Sequence, residues 1–245
     1  MRRLGADTGE LDEHELAQLY AYPAPPWLRA NMVASADGAG SFDGLSAGLS
    51  SDADRRLFGL LRVLCDVVLV GAGTARTEGY RPARRRAALA DLRGGPGRTA
   101  TPPIALVSRS LDVDLSVPLF VDAPPDARTI VITCADSPAD RRAAAERVAD
   151  VIVAGESAVD LAEAVGVLAK RGLGRILCEG GPTLLGQIAA DRLLDELCLT
   201  LSPLLAGPGA PRITAGPAFT ARPMALAHVL QDDSFLFCRY VAETR

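Results

Sequence analysis

Short apolar runs alternate with stretches of helical periodicity along most of the chain. Residues 66–70 end in four consecutive apolar side chains, which is typical of a strand buried on both faces of a parallel sheet. Residues 52–64 carry leucines three or four positions apart behind Ser51, which predicts an amphipathic helix with a serine N-cap. The same patterns predict further strands at 29–36, 104–107, 129–133, 151–154, 175–178, 196–202, 224–231 and 234–241, and further helices at 11–20, 138–148, 159–171 and from Pro182 onward.

The alternation of strands and helices predicts the α/β class. We expect three layers, with a mainly parallel central sheet and helices on both of its faces, because each parallel crossover needs a helix. The last two strands meet at Asp232-Asp233, a connection short enough for an antiparallel C-terminal hairpin. Residues 1–24 are interpreted as an N-terminal extension with a short helix, residues 25–245 as a single domain, and residues 81–103 as a long surface loop rich in Arg, Pro and Gly.

Composition excludes several classes of function. The net charge is −4 and no basic block is interleaved with aromatic residues, so we expect neither nucleic acid nor an anionic membrane as a partner. No apolar run reaches transmembrane length and no apolar signal segment opens the chain, which predicts a cytoplasmic location. The five cysteines are scattered, and the two histidines, His14 and His228, lie far apart, so we expect no metal site and no histidine-based nucleophile.

The most informative segment runs from Arg175 to Leu185. A predicted strand ends at two glycines and a helix starts at Pro182, a position that favours proline. Glycines allow close approach of a ligand, and the free N–H groups of a helix start attract phosphate. Glu179 stands beside this turn and offers a carboxylate to a second ligand. The alternative is a tight strand-to-helix turn that binds nothing.

Two other strand ends carry similar signals. Gly71 and Gly73 follow a buried strand, and Thr74 offers a hydroxyl and a helix cap. Arg76 stands where a standard dinucleotide fingerprint has its third glycine, so a purely structural turn is an equally good interpretation. Arg109, flanked by Ser108 and Ser110, suits a phosphate monoester such as the 2′-phosphate of NADPH, and an ordinary polar turn is the alternative.

Three charged features leave more than one interpretation open. Asp37 is an acid, a carboxylate that binds a pterin or a pyrimidine, or only a turn-forming residue before Gly38. Arg62 is either a surface charge or a side chain that reaches into a cleft. The basic run of Arg81 and residues 84–86 offers contacts for a phosphate-bearing substrate, although a solvated loop explains most of it.

Taken together, these motifs resemble the reductase domain of riboflavin biosynthesis, the C-terminal half of the bifunctional deaminase–reductase, within the dihydrofolate-reductase-like superfamily. The matching segments, spread over residues 30–205, are Met32-Val-Ala-Ser-Ala-Asp-Gly38, Gly44-Leu-Ser46, Leu61-Arg62, Asp66-Val-Val-Leu-Val-Gly-Ala-Gly-Thr74 with Glu78, Val107-Ser-Arg109, Glu179-Gly-Gly-Pro-Thr-Leu184 and Asp195-Glu196-Leu197.

The resemblance implies a dihydrofolate-reductase-like fold, NADPH as hydride donor and a small-molecule substrate, 5-amino-6-(5-phosphoribosylamino)uracil or a close relative, reduced at the ribose C1′. It implies substrate contacts from Ser46, Arg62 and Glu179, with Asp37 and Glu179 as the catalytic residues. The cofactor contacts that it implies are Val33, Ala34, Gly48, Thr74, Glu78, Ser108, Gly181, Pro182, Thr183, Leu184 and Leu185. The local motifs add Gly71, Gly73, Arg109 and Gly180 to this predicted cofactor site. A homodimer is a further implication, for which the sequence offers only the apolar closing strands.

The chain also departs from that family. The His/Cys zinc motif of the deaminase is absent, so we expect no deamination by this chain. Family members commonly carry Asp-Asp-Pro after the glycine loop, where this chain has Thr77-Glu-Gly-Tyr80, and the change falls where the phosphate end of the substrate would be read. Reduction of dihydrofolate or another pterin-like heterocycle therefore stays open, as does a nucleotide-binding module without turnover.

Overall fold

One mixed sheet organises the molecule. In the computed structural model, which describes residues 1–5, 9–95 and 97–243, ten strands pair in the order β1-β9-β10-β8-β2-β7-β3-β4-β5-β6. The strands are β1 (Arg2–Arg3), β2 (Trp27–Ser35), β3 (Val67–Gly71), β4 (Ile104–Val107), β5 (Ile130–Thr133), β6 (Asp150–Val153), β7 (Arg175–Cys178), β8 (Glu196–Ser202), β9 (Met224–Asp232) and β10 (Phe235–Ala242). From β8 to β6 all pairings are parallel, whereas β1, β9 and β10 add antiparallel pairings at one side.

Helices connect the parallel strands, as the alternating pattern predicts. They are α1 (Glu13–Leu19), α2 (Asp52–Leu64), α3 (Ala72–Thr77), α4 (Pro118–Val121), α5 (Ala139–Val148), α6 (Leu161–Lys170) and α7 (Pro182–Ala190), with short 3₁₀ turns at Ser46–Leu49, Ala87–Leu89, Asp91–Arg93 and Pro125–Ala127. None of the helices in the described residues is long and apolar enough to cross a membrane.

Each face of the sheet has its own apolar core, so the predicted three-layer architecture is confirmed. Along β3, Val68 and Val70 point into a core with α1 and α2, whereas Val67 and Leu69 point into a core with α6 and α7. Alternate side chains of a strand lie on opposite faces, and β3 is apolar throughout because both faces are covered.

The sequence located most elements to within two residues. The helix at 52–64 and the strands at 104–107, 175–178 and 196–202 have the predicted bounds, and Ser51 accepts the N-cap bond from Asp54 N at 3.1 Å. Among the strands and α-helices of the described residues, three short elements were missed, namely the edge strand β1 and the helices α3 and α4. Thr74 was wrongly assigned as a cap, because α3 begins one residue after Gly71 and Thr74 lies inside it.

The predicted N-terminal extension packs onto the body of the protein. Leu16 and Tyr20 are fully buried, and both belong to the same apolar core as α2. The Met1 amino group pairs with Asp232 at 2.7 Å, and β1 adds to the edge of β9. Residues 6–8 of this segment lie outside the described residues.

Residues 81–103 are more than a surface loop. Arg93 and Arg98 turn back under α2 and donate hydrogen bonds to its last carbonyls, including Cys65 O at 2.6 and 2.8 Å. Helix C-termini carry partial negative charge, so two guanidinium groups there are favourable. Pro96, within this loop, lies outside the described residues.

A buried charge cluster joins the parallel and antiparallel parts of the sheet. Glu196, at the start of β8, has no solvent exposure and accepts hydrogen bonds from Arg29 of β2 at 2.6 and 3.1 Å. Arg239 of β10 donates to the same carboxylate at 2.8 and 3.0 Å, and Trp27 Nε1 at 3.0 Å. We call Glu196, Arg29, Arg239 and Trp27 the junction cluster. Burial by itself would raise the pKa of Glu196, but the two arginines outweigh it and lower that pKa to about 2.

We predict that Glu196→Gln strongly destabilises the protein at neutral pH, by about 3–5 kcal/mol, because it leaves two buried arginines without a counter-charge. In the unfolded chain the pKa of Glu196 has its ordinary value of 4.5, and folding lowers that pKa. Its stabilisation is therefore complete above about pH 4.5 and is lost as the pH falls toward 2, at about 1.4 kcal/mol per pH unit. Urea unfolding of both proteins at about pH 7 and pH 3 measures this.

Asp150→Asn is the matched control, since Asp150 pairs with Arg128 at the surface, where both side chains are exposed. It should change the free energy of unfolding by less than about 1 kcal/mol. A cost of Glu196→Gln that is small, or equal at both pH values, would contradict the assigned role.

Candidate active site

A cavity of about 1800 Å³ opens at the carboxyl ends of the central parallel strands. Its walls come from β2, β3, β4 and β7, from α2, α3 and the start of α7, and from three connecting segments. These are the front loop (residues 38–50), the covering loop (residues 203–223) and the segment that follows α3 (residues 78–103). Ligand pockets usually measure about 300–1000 Å³. The cavity therefore has room for two ligands side by side, at the edge of the sheet where the sequence predicts them.

The floor of the cavity forms where β3 and β7 end together. Gly71 N donates to Gly180 O at 2.8 Å, and Glu179 N donates to Leu69 O at 2.9 Å. A Cβ atom on Gly181 would collide with the hydroxyl of Thr74, so any other residue here would force that side chain to move. The glycines after β3 and those after β7 therefore form one continuous backbone surface, which we call the glycine surface.

Ser108 and Arg109 form the outer end of that surface. They follow β4, next to β3, and both line the cavity. The Ser108 hydroxyl oxygen accepts a hydrogen bond from Leu111 N at 3.1 Å, which shapes the turn, and the Arg109 side chain is exposed. The guanidinium group of Arg109 therefore follows β4, which is the strand next to β3 and its glycines.

The other side of the cavity is charged. Arg62, on α2, donates through Nε and Nη2 to the two oxygens of Glu179, each at 2.7 Å. The Tyr80 hydroxyl donates to the same carboxylate at 2.7 Å, and only 1% of the Glu179 side chain is exposed. Burial raises the pKa of Tyr80, and the negative charge of Glu179 raises it further. The pair therefore faces the cavity mainly through Arg62, of which 20% is exposed.

The front loop is held over the cavity by side chains below it. Glu78 Oε1 accepts a hydrogen bond from Ser46 N at 2.9 Å. Asp54 accepts from the hydroxyl of Ser50 and from that of Thr200, each at 2.6 Å. The sequence predicts that Glu78 contacts the cofactor. In the structure its carboxylate binds the backbone of the front loop.

The covering loop closes the side of the cavity above α7. Gly40 N donates to Pro211 O at 2.6 Å, so this loop meets the front loop. Ala215 N donates to Pro182 O at 2.9 Å, and Gly186 on α7 leaves the space that the Ala215 carbonyl occupies. A side chain at position 186 would push the loop away.

Asp37, for which the resemblance implies a catalytic role, is bound to backbone and to a neighbouring hydroxyl in the structure. Its carboxylate accepts hydrogen bonds from the Ser35 hydroxyl and from Ala206 N and Gly207 N, the latter two at 3.1 and 2.9 Å, and it does not line the cavity. The Ser35 bond and then the two amides lower the pKa of Asp37, which disfavours it as a proton donor. Asp37 fastens the covering loop to the end of β2.

Most of the other predicted residues meet at the cavity, although their contacts with a ligand remain predictions. The predicted residues that line it are Val33, Ser46, Arg62, Gly71, Gly73, Thr74, Glu78, Ser108, Arg109, Glu179, Gly181, Pro182, Thr183 and Leu184. Four more, besides Asp37, do not line it. Ala34 and Leu185 are buried, Gly48 packs against Phe42, and the carbonyl of Gly180 faces Gly71.

Sequence reasoning missed several residues of the cavity. Tyr80, Phe58 and Asn31 line it. Phe58 belongs to no recognised motif, although it lies on α2 one turn before Arg62, where a helix places neighbours on one face. Tyr80 follows Gly79, which has a φ of +62°, and no local signal shows where a chain goes after such a turn.

The basic run divides into bound and unbound arginines. Arg86 donates to Glu13 at 2.9 Å and to the backbone of α2. Arg81, Arg84 and Arg85 are exposed, and they line the mouth of the cavity on its charged side.

Known proteins share both the sequence pattern and the fold. The chain matches the family model of the RibD C-terminal domain over residues 26–236. It is 29% identical over 196 residues to the 2,5-diamino-6-ribosylamino-4(3H)-pyrimidinone 5′-phosphate reductase of Archaeoglobus fulgidus, a match that covers 79% of this chain and 88% of that protein.

Solved structures of other proteins share the fold of this chain. A pyrimidine reductase-like protein from Corynebacterium diphtheriae superposes with a TM-score of 0.83 at 28% identity, over 94% of this chain and 99% of that one. RibD of Acinetobacter baumannii superposes with a TM-score of 0.72 at 19% identity, over 90% of this chain and 59% of that one, which shows the shared fold. The predicted resemblance and fold class are confirmed, and the chain belongs to the RibD C-terminal domain family.

Proposed function

We propose that this protein is an NADPH-dependent reductase of a ribosylaminopyrimidine 5′-phosphate in riboflavin biosynthesis. One observation carries the proposal: a single cavity joins a glycine-lined half to a charged half, and the end of β7 contributes to both. Such an arrangement holds two ligands against each other, which a hydride transfer requires.

The glycine-lined half fits a nicotinamide dinucleotide. Gly73 has open space where a Cβ would stand, and α7 begins beside it at Pro182 with free backbone N–H groups. Arg109 at the outer end suits a 2′-phosphate, which favours NADPH over NADH. When bound, NADPH supplies the hydride, while the residues of the chain bind and orient both ligands.

The charged half suits the substrate. Arg62 and Glu179 stand at the boundary with the glycine surface, where the reacting ribose carbon would lie. Exposed Arg81, Arg84 and Arg85 at the mouth suit the 5′-phosphate, because guanidinium groups bind phosphate through paired hydrogen bonds.

Two implications of the resemblance stay part of this proposal. They are a homodimer, for which exposed Leu205 and Leu226 offer apolar surface, and a cytoplasmic location.

We predict that the purified protein oxidises NADPH when it receives a ribosylaminopyrimidine 5′-phosphate. The 2,5-diaminopyrimidinone, which is the substrate in the name of the Archaeoglobus relative, and the 5-aminouracil form should be assayed in parallel with dihydrofolate. Loss of nicotinamide absorbance and a product with two added hydrogens measure the reaction. Turnover of dihydrofolate alone would favour a different reductase, and NADPH binding without any turnover would favour a nucleotide-binding module.

We predict that Arg109→Ala raises the Kd for NADPH by about tenfold or more and leaves that for NADH within about twofold, because a charge-assisted phosphate contact contributes about 1.5–3 kcal/mol. Fluorescence titration with each nucleotide measures it. Arg147→Ala, which removes an exposed arginine of α5, is the control and should bind both as the wild type does. An equal loss for NADPH and NADH would exclude a 2′-phosphate contact.

We predict that Glu179→Gln lowers kcat/KM for the pyrimidine at least about tenfold while the Kd for NADPH stays within about twofold. The amide keeps the shape of the carboxylate but removes the charge that pairs with Arg62, a loss typical of broken buried ion pairs. Steady-state kinetics and NADPH titration measure the two quantities. Glu146→Gln on the exposed face of α5 is the control, and equal losses in both quantities would contradict the assignment.

A further inference from the structure

Tyr80 is not among the predicted site residues, yet it contacts the pair of Arg62 and Glu179 that lines the cavity. Its hydroxyl lies 2.7 Å from Glu179 Oε2, and its ring centre lies 5.5 Å from the guanidinium carbon of Arg62. Tyr80 is partly buried, and its hydroxyl is directed at the carboxylate and not at solvent.

The hydrogen bonds of the pair show which group is left for a ligand. Glu179 Oε1 accepts from Arg62 Nε, and Oε2 accepts from both Arg62 Nη2 and Tyr80. A carboxylate accepts about four hydrogen bonds, so little of its capacity remains. Arg62 Nη1 has no hydrogen-bond partner among the described residues, and the Arg62 side chain lines the cavity. The donor that this cluster offers to a ligand is therefore Arg62 Nη1.

Two aromatic rings fix the orientation of that guanidinium. Phe58 lies 4.5 Å from the guanidinium carbon of Arg62, and Tyr80 lies 5.5 Å from it. Cations near ring faces are attracted to them, and the two-point pairing with Glu179 fixes the guanidinium plane. The arginine side chain has many rotamers, so the loss of one of these contacts would allow Arg62 to leave this orientation.

The Tyr80 hydroxyl acts as a permanent donor. Burial raises its pKa well above the ordinary value of a phenol, and Glu179 adds to the shift. The phenol therefore stays protonated at neutral pH, and it holds Glu179 in place without competing for its charge.

We infer that Tyr80 is a substrate-positioning residue, which holds Glu179 and contacts Arg62 so that Arg62 Nη1 faces an acceptor oxygen of the pyrimidine substrate. The inference rests on the proposed function and adds to it a residue that acts through Arg62.

Tyr80→Phe tests the inference because it removes the hydroxyl and keeps the ring. We expect KM for the pyrimidine to rise about tenfold, with kcat and the Kd for NADPH within about twofold, because ground-state and transition-state binding lose the same contact. The control is Tyr22→Phe. Tyr22 also stacks on an arginine, Arg29 at 4.0 Å, and donates to Ile176 O at 3.4 Å, but it lies at the opposite ends of the strands. This control should leave KM unchanged.

A double-mutant cycle shows whether Tyr80 acts through Arg62. In an Arg62→Lys background the planar pairing with Glu179 is already lost, so Tyr80→Phe should add less than about twofold to KM. A further tenfold rise in that background would overturn the inference. So would a Tyr80→Phe protein whose KM equals that of the wild type.

A measurement without turnover separates this inference from the proposed function. If the wild type reduces neither pyrimidine, the proposed function fails, and solvent exchange of the Arg62 Nε–H, followed by NMR, still tests the role of Tyr80. Exchange several-fold faster in Tyr80→Phe than in the wild type or Tyr22→Phe supports the holding of Arg62. Equal exchange in all three proteins overturns it.

Discussion

A carboxylate with no access to solvent, Glu196, decides how the two parts of the sheet are joined. Its strand β8 pairs in parallel with β2 on one side and antiparallel with β10 on the other. A buried charge is tolerated only when it is paired and hydrogen-bonded, and here Arg29 and Arg239 come from those two neighbouring strands. Because Arg29 lies directly opposite Glu196, a register shift would separate the charges inside the core.

Strands β2 and β8 are linked a second time beyond their carboxyl ends, and this link positions one wall of the cavity. After β2, Asp37 binds the backbone amides of Ala206 and Gly207, which follow β8. The covering loop therefore leaves the sheet in a fixed direction and passes over the start of α7. A residue that resembles a catalytic acid in the sequence thus contributes to the site by holding a wall of it.

The two halves of the cavity owe their chemistry to opposite properties of the chain. On one side, glycines remove side chains, so that β3, β7, α3 and α7 approach each other and expose backbone N–H groups. On the other side, Arg62, Glu179 and Tyr80 fill the space with mutually paired polar groups. The first suits a long, flat phosphate-bearing ligand, and the second suits a ligand held by a few directed hydrogen bonds.

The sequence by itself determined the α/β layering and nearly every strand and helix, because hydrophobic periodicity and glycine–proline punctuation are local properties. It also indicated that Gly71, Arg109 and Gly181 lie along one edge, since parallel strands end together. Only the tertiary structure decided which partner each charge has. Asp37 and Glu179 are both carboxylates that follow strands, yet one binds loop amides and the other Arg62 and Tyr80. Those partners lie about a hundred residues or more away along the chain, a separation at which no local pattern acts.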